Sequence, residues 1–206
     1  MIPVTGIQRL RFGIDGQGIR TLIGTAGCPL NCRYCLNPHC KSPAEADFSP
    51  FSPEALFQAV KMDNLYFQAT GGGLTFGGGE PLLHIKALSR FASLCPDSWT
   101  LWAETSLQVP EASAARAADI FDHFIVDVKS MDPDIYFRYT GGSIDPVLKN
   151  LKLLLELAGP DRITVRVPVI PGYADARSRR ASEDNLRALG IRNIDHLVYT
   201  TQQEEE

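Results

Sequence analysis

Apolar residues along this chain fall into short blocks that end, repeatedly, in polar residues. The block at 20–26 runs into a cysteine-rich loop. A shorter one at 74–76 lies between two glycine runs. Blocks at 99–105, 121–129, 162–169 and 195–199 end near Glu104-Thr105, Asp127-Lys129, Pro171-Gly172 and Tyr199. Between them the spacing changes to a helical one. Ser52-Pro53-Glu54 predicts a helix start, with Ser as N-cap and Pro in the first turn, running to about residue 62. Further helices are predicted over 84–94, 110–118, 133–139, 146–158 and 178–189. Residues 4–14 read as a strand or hairpin, Asp15-Gly16-Gln17-Gly18 as a turn, proline-rich 38–51 as a loop, and 202–206 as a frayed tail.

Strands alternating with helices predict a parallel sheet with right-handed crossovers. Six such units are fewer than the eight of a closed barrel. The expected fold is therefore α/β: an open, curved, partial (β/α)6 barrel with a six-stranded parallel sheet. It forms one domain over 1–206, with 1–19 as a strand-and-turn decoration. The polar strand ends would converge on one rim, where ligands sit in parallel α/β folds.

Composition narrows the class. The chain has 206 residues, 44% of them hydrophobic and 21% charged, enough to bury one full core. A net charge of -4 and a pI of about 5.6 leave no nucleic-acid footprint. Arg177, Arg179 and Arg180 are followed by Glu183 and Asp184 and read as a solvated helix start. No apolar run is long enough for a membrane span, and the N-terminus lacks a secretory pattern. A cytoplasmic location is expected, since clustered cysteines fit a reducing compartment better than a disulfide framework.

Three of the five cysteines, Cys28, Cys32 and Cys35, are spaced C-x3-C-x2-C. Thiolates on one loop hold soft iron or zinc. Structural zinc would need a fourth ligand, with Cys40 or His39 in reach. A four-iron cluster on three thiolates would keep one iron open to a ligand. Cys95 reads as a buried thiol. The run Gly77-Gly78-Gly79-Glu80 is either a flexible loop or a place where backbone closely approaches a ligand. It is no Walker loop, because no Gly-Lys-Ser/Thr follows. Glu80 and nearby carbonyls are acceptors suited to an ammonium. Asp127 with Lys129 is either a strand-end ion pair or a ligand-binding couple. Arg166 is either paired to an acid or a site residue.

The cysteine spacing, with aromatic Tyr34 before the third cysteine, resembles the radical S-adenosylmethionine enzymes. Asp15-Gly16-Gln17-Gly18-Ile19-Arg20, Gly27-Cys28-Pro29-Leu30, Asn37-Pro38 and Gly78-Gly79-Glu80-Pro81 resemble, more narrowly, the activating enzymes of glycyl-radical enzymes. The resemblance runs from Asp15 to about Tyr199. It implies a four-iron, four-sulfur cluster on Cys28, Cys32 and Cys35, with S-adenosylmethionine on the open iron. Tyr34 and Leu36 would lie by the adenine, and Gly78, Gly79 and Glu80 at the amino group. Thr105, Asp127, Val128, Lys129 and Arg166 would complete the cofactor site, with ribose hydroxyls and a monovalent cation as alternatives at Asp127. No catalytic residue beyond the cluster and cofactor is implied. Asp15 and Gly16 match the turn that grips the partner's glycine loop. The implied partners are a glycyl-radical enzyme as substrate and a low-potential flavodoxin or ferredoxin as donor, with no nucleic acid and no membrane.

The chain departs from the family pattern in places. Leu36 replaces a His, Gln17 a Pro, and Glu104-Thr105-Ser106 an Asp-Thr-Asn. Thr200 stands where a cofactor His is common, and the usual C-terminal extension is expected to be missing. Two other functions remain open at this point: a radical enzyme acting on a small molecule, such as a compact deazapurine synthase, and a metal or iron–sulfur binding module without catalysis.

Overall fold

The computed structural model describes residues 1–42 and 47–199. The first part of the chain forms β1 (Ile2–Phe12), β2 (Ile19–Thr25), β3 (Ser49–Phe51), α1 (Pro53–Val60), α2 (Asn64–Thr70), β4 (Gly73–Gly78) and α3 (Ile85–Ala92). Then come β5 (Thr100–Thr105), α4 (Glu111–Ala118), β6 (His123–Asp127), α5 (Pro133–Thr140), α6 (Asp145–Ala158), β7 (Ile163–Val169), α7 (Ala176–Ala188) and β8 (Asn193–Val198). One sheet holds all the strands in the order β3-β1-β2-β4-β5-β6-β7-β8. From β2 to β8 every neighbouring pair is parallel. These are the expected units of the α/β partial barrel. β1 and β3 extend it as an antiparallel edge.

Alternation along the parallel strands sorts the sheet into two faces. Ile23, Leu74, Phe76, Leu101, Ala103, Phe124, Val126, Ile163, Val165 and Val167 are buried in the core cluster with residues of the helices. The other face carries Thr75, Trp102, Glu104, His123, Asp127 and Arg166. Registers align Thr75 with Trp102, Trp102 with His123, and Asp127 with Arg166. A parallel sheet covered on both faces reads as unbroken apolar runs. Polar residues on every second position therefore mark a face that lines a cavity.

The lower part of that face is filled. Arg20 is 1% exposed. Its Nε donates to Thr75 Oγ1 (2.7 Å), and its Nη2 to the carbonyls of Leu74 (2.5 Å) and Thr100 (3.0 Å). The guanidinium lies 4.7 Å from the Trp102 ring centroid. Burial lowers its pKa to about 10, which leaves it charged at neutral pH. Thr75 Oγ1 donates onward to the Asp15 carbonyl (2.8 Å), so the β1–β2 turn folds beneath the sheet's polar face. Gly16, at φ +131°, has no room for a Cβ, which would sit 2.6 Å from Trp102.

Local chemistry explains the element ends. Ser52 Oγ accepts from the Ala55 N–H (3.0 Å) and opens α1. Asp132 Oδ1 accepts from the N–H groups of Asp134 and Ile135 and opens α5, which Gly141 closes at φ +74°.

Several expectations change. The stretch 38–51 is not all loop: Pro38–Cys40 forms a 3-10 turn and Ser49–Phe51 pairs with Ile2–Val4. Pro50 hides this strand from pattern reading, yet an edge strand tolerates proline. The helix expected to reach residue 62 stops at Val60, and α2 follows after a short 3-10 turn. Of the glycines around 74–76, Gly73, Gly77 and Gly78 belong to strand β4 rather than to a flexible loop. A Cβ on Gly73 would collide with the Thr100 carbonyl, so glycine here serves close strand approach. His84 falls in a 3-10 turn before α3. Cys95 is half-buried rather than buried. Arg179 pairs with Glu183 (3.1 Å) inside α7. Thr200 and the 202–206 tail lie outside the described residues.

Candidate active site

The cysteine loop leaves the C-terminal end of β2 and is tied down from two sides. The N–H of Gly27 donates to the Cys40 carbonyl (2.7 Å), and that of Cys28 to Lys41 (3.0 Å). The N–H groups of Asn31 and Arg33 donate to the carbonyls of Thr140 (2.8 Å) and Tyr139 (3.1 Å) at the end of α5. Lys41 Nζ adds a bond to the Cys32 carbonyl (2.7 Å). All five cysteines are free thiols. Cys28, Cys32 and Cys35 line one cavity at the C-terminal ends of the strands. Burial pushes the Cys28 thiol up to about 12 and raises Cys32 as well.

Among the described residues no three His, Cys, Asp or Glu side chains are gathered to grip a single ion. Of the two fourth ligands weighed for zinc, Cys40 is buried away from the cavity with its sulfur 3.3 Å from the Thr5 hydroxyl, and His39 is exposed and outside the cavity lining. A three-thiolate donor set with no fourth protein ligand suits a four-iron cluster better than structural zinc.

The glycine run is sewn to the same loop. The Gly79 N–H donates to the Thr25 carbonyl (2.8 Å), and the Glu80 N–H to Gly27 (2.7 Å). A Cβ on Gly79 would meet both carbonyl oxygens. Glu80 is 1% exposed. Its Oε1 accepts from Thr105 Oγ1 (2.7 Å) and the Leu82 N–H (3.2 Å); its Oε2 accepts from the N–H (2.8 Å) and hydroxyl (2.7 Å) of Ser106. That fills about four lone-pair directions, the capacity of a carboxylate. Burial raises its pKa against these bonds. Glu80 thus locks the end of β5 to the cysteine side. The turn it holds contains Leu107 at φ +58°, a strained conformation at the rim.

Two charged groupings complete the wall. Lys129 Nζ lies 3.0 Å from Asp127 Oδ2 and donates to the Tyr199 hydroxyl (2.8 Å). Burial alone would lower the lysine pKa, but Asp127 and Tyr199 outweigh it and the net shift is upward. Arg166 Nη1 bonds Glu104 Oε1 (2.8 Å), and its Nε lies 3.5 Å from Asp195. Both ion pairs weighed in the sequence form, and both face the cavity.

The cavity gathers Tyr34, Leu36, Gly78, Gly79, Glu80, Thr105, Asp127, Lys129 and Arg166 with the three cysteines. Val128 is instead buried in the core, its N–H bonded to the Arg166 carbonyl (3.1 Å). Asp15 and Gly16 lie apart from it, at the filled lower end. There Asp15 is 4% exposed and paired with Arg11. Tyr139, Leu197 and Tyr199 also line the cavity without having been singled out as ligands. For Tyr199 the signal was available, since it ends a strand as the other site residues do.

Residues 22–181 match the family described as "Radical SAM superfamily". The chain belongs to the radical SAM superfamily. Pyruvate formate-lyase 2-activating enzyme of Escherichia coli is 30% identical, over 95% of this chain and 76% of that one. The (2S)-3-sulfopropanediol dehydratase activating enzyme of Klebsiella oxytoca is 34% identical, over 84% and 72%. Among solved structures, anSMEcpe with bound AdoMet aligns with a TM-score of 0.69 at 17% identity, over 88% of this chain and 51% of that one. A domain of pyruvate-formate lyase-activating enzyme from Bacteroides vulgatus aligns with a TM-score of 0.52 at 26% identity, over 64% and 87%. Radical SAM enzymes hold a four-iron, four-sulfur cluster and S-adenosylmethionine. No helix among the described residues is long and apolar enough to cross a membrane.

Proposed function

We propose that this radical SAM protein is an activating enzyme that installs a radical on a glycine of a partner glycyl-radical enzyme. The observation that carries this is one cavity uniting three free cysteines, the Gly-Gly-Glu rim and the Asp127–Lys129 pair, in a chain aligned over nearly all its length with a named activating enzyme. When bound, the cluster and S-adenosylmethionine would supply the one-electron radical chemistry that takes hydrogen from the glycine Cα.

The chain's own residues bind, orient and exclude water. Cys28, Cys32 and Cys35 would hold three irons as thiolates. Gly78 and Gly79 bring bare backbone to the rim, and Glu80 fixes Thr105 and Ser106 so that their positions do not drift. Lys129 is a buried ammonium suited to a carboxylate, and Asp127 beside it suits ribose hydroxyls or a monovalent cation. Arg166 stays charged against Glu104 and bounds the side towards β8. Tyr34 and Leu36, which line the cavity with Leu36 exposed at its mouth, would lie by the adenine. Asp15 is buried and paired with Arg11 at the filled end, apart from the cavity, so the grip on the partner's glycine loop expected of Asp15 and Gly16 would require this turn to open. A low-potential flavodoxin or ferredoxin is the proposed electron donor.

The relatives' names favour this reading over a small-molecule radical enzyme or a non-catalytic metal module. The test is anaerobic. Protein reconstituted with iron and sulfide, then given dithionite and S-adenosylmethionine, is expected to release 5′-deoxyadenosine, and Cys32→Ala to abolish it. Adding a glycyl-radical enzyme encoded beside this chain should yield a glycine-centred EPR signal. Cluster-loaded protein that releases no 5′-deoxyadenosine would defeat the proposal.

A further inference from the structure

Helix α5 ends in Tyr136-Phe137-Arg138-Tyr139-Thr140, and its two tyrosines have no role in the site so far. Three apart on a helix, they share one face. Tyr136 is 0% exposed and Tyr139 1% exposed. Neither hydroxyl has a hydrogen-bond partner among the described residues. A buried donor without a partner is unfavourable, and one such group on a native helix calls for a physical reason.

The face they share is turned to the cysteine loop. The carbonyls of Tyr139 and Thr140 accept from the N–H groups of Arg33 and Asn31, the residues on either side of Cys32. Cys32 packs against the buried cluster that contains Tyr136 and also against the one that contains Tyr139. Cys28 packs with the first of these. Tyr139 lines the cavity itself. The rings of Tyr34 and Tyr173 meet it edge-on, with centroids 6.0 and 5.2 Å away, which leaves it little freedom to turn out. Burial holds both phenols above their ordinary range, so both remain protonated donors.

We propose that the hydroxyls of Tyr136 and Tyr139 donate hydrogen bonds to the sulfur atoms around Cys32 and thereby set the reduction potential of the cluster. Both are positioning and tuning residues; neither is a ligand. Hydrogen bonds to the sulfurs, net charge and solvent exposure are what a protein uses to tune an iron–sulfur potential. The reduced cluster carries one more negative charge and accepts more strongly than the oxidised one. Donors therefore favour reduction and raise the midpoint, and losing them lowers it. This inference rests on the cluster reading given above.

The experiment is an EPR-monitored redox titration of the reconstituted full chain, with Tyr136→Phe, Tyr139→Phe and, as a control, Tyr66→Phe on exposed α2. Iron and sulfide per chain are measured alongside. Each of the two α5 variants is expected to load like wild type. At a fixed potential below the midpoint, its ratio of reduced to oxidised cluster should fall about tenfold, a shift of about 59 mV for a one-electron couple. The control should not move. A fully loaded variant with an unmoved midpoint overturns the assignment for that tyrosine. Should a Phe variant fail to load, wild-type protein made with 3-fluorotyrosine keeps the hydroxyl and sharpens its donation. Its midpoint must then rise, and an unmoved value overturns the proposal. Wild-type protein that shows no four-iron signal at all defeats the cluster reading instead, so the two failures are distinct.

Discussion

Lys129 Nζ donates to the hydroxyl of Tyr199 over 2.8 Å, which ties the end of β6 to the residue that follows β8. The ends of β6 and β8 do not pair directly, because β7 runs between them. The bond therefore spans the cavity wall and fixes the lysine against Asp127. Tyr199→Phe removes only the hydroxyl. It should cost about 1 kcal/mol of stability, and it should raise KM for S-adenosylmethionine several-fold while changing kcat little. Steady-state kinetics with 5′-deoxyadenosine as product check this, and an unchanged KM would contradict it.

Gly79→Ala should damage the cysteine loop from a distance. The added Cβ meets the backbone oxygens of Gly27 and Thr25, neither of which is the tip of a flexible side chain. One of the two strand ends must shift, at about 1–3 kcal/mol. Urea denaturation should show that loss, and iron content after reconstitution should fall with it.

Removing one half of the Arg166–Glu104 pair should make stability more sensitive to pH. Burial raises the Glu104 pKa above its ordinary 4.5, with Arg166 opposing the rise. The carboxyl's contribution to stability is therefore fullest below 4.5 and is lost as pH rises through its folded value. Arg166→Gln takes away the opposing cation, so the folded value climbs and the loss deepens. The expected cost is about 2 kcal/mol at neutral pH, less than the roughly 3–5 kcal/mol of a fully buried pair because both groups are partly exposed. At pH 5 the cost should be smaller. Equal costs at both pH values would refute the electrostatic account.

Cluster assembly should accelerate with pH. Burial raises the thiols of Cys28 and Cys32, and Cys28 reaches about 12, so both are protonated at neutral pH in the metal-free protein. Iron binds the thiolate, so each ligation releases a proton. The rate of reconstitution between pH 7 and 9 should rise steeply, and a pH-independent rate would show that the thiols are not the limiting groups.

Much of the site was legible because parallel strands place their last residues on one rim. Polar residues at block ends, such as Asp127 and Lys129, mark that rim without any knowledge of the fold. The two faces were harder to see. Trp102 and His123 read as ordinary strand residues, and only the registers show that they share a polar side with Glu104. The edge strand Ser49–Phe51 was invisible because proline suppresses the pattern and its pairing is with residues far away in sequence. The saturation of Glu80 was also beyond reach, since its donors come from the separate turn that contains Ser106. The turn at Tyr139-Thr140-Gly141 carries no chemistry that the sequence announces. In the structure its carbonyls anchor the cysteine loop.

The plug of Arg20, Trp102 and the β1–β2 turn makes the partial barrel a cul-de-sac. Among the described residues the way beneath the polar face is shut, so a guest that enters over the strand-end rim cannot leave below, and traffic over that rim is last in, first out. A bulky guest that enters on top of a small one has to back out before the small one can leave. For a protein substrate seated over a spent cofactor, the pace of turnover would then be set at the threshold, by how quickly the guest withdraws, and not by the bond-breaking beneath it.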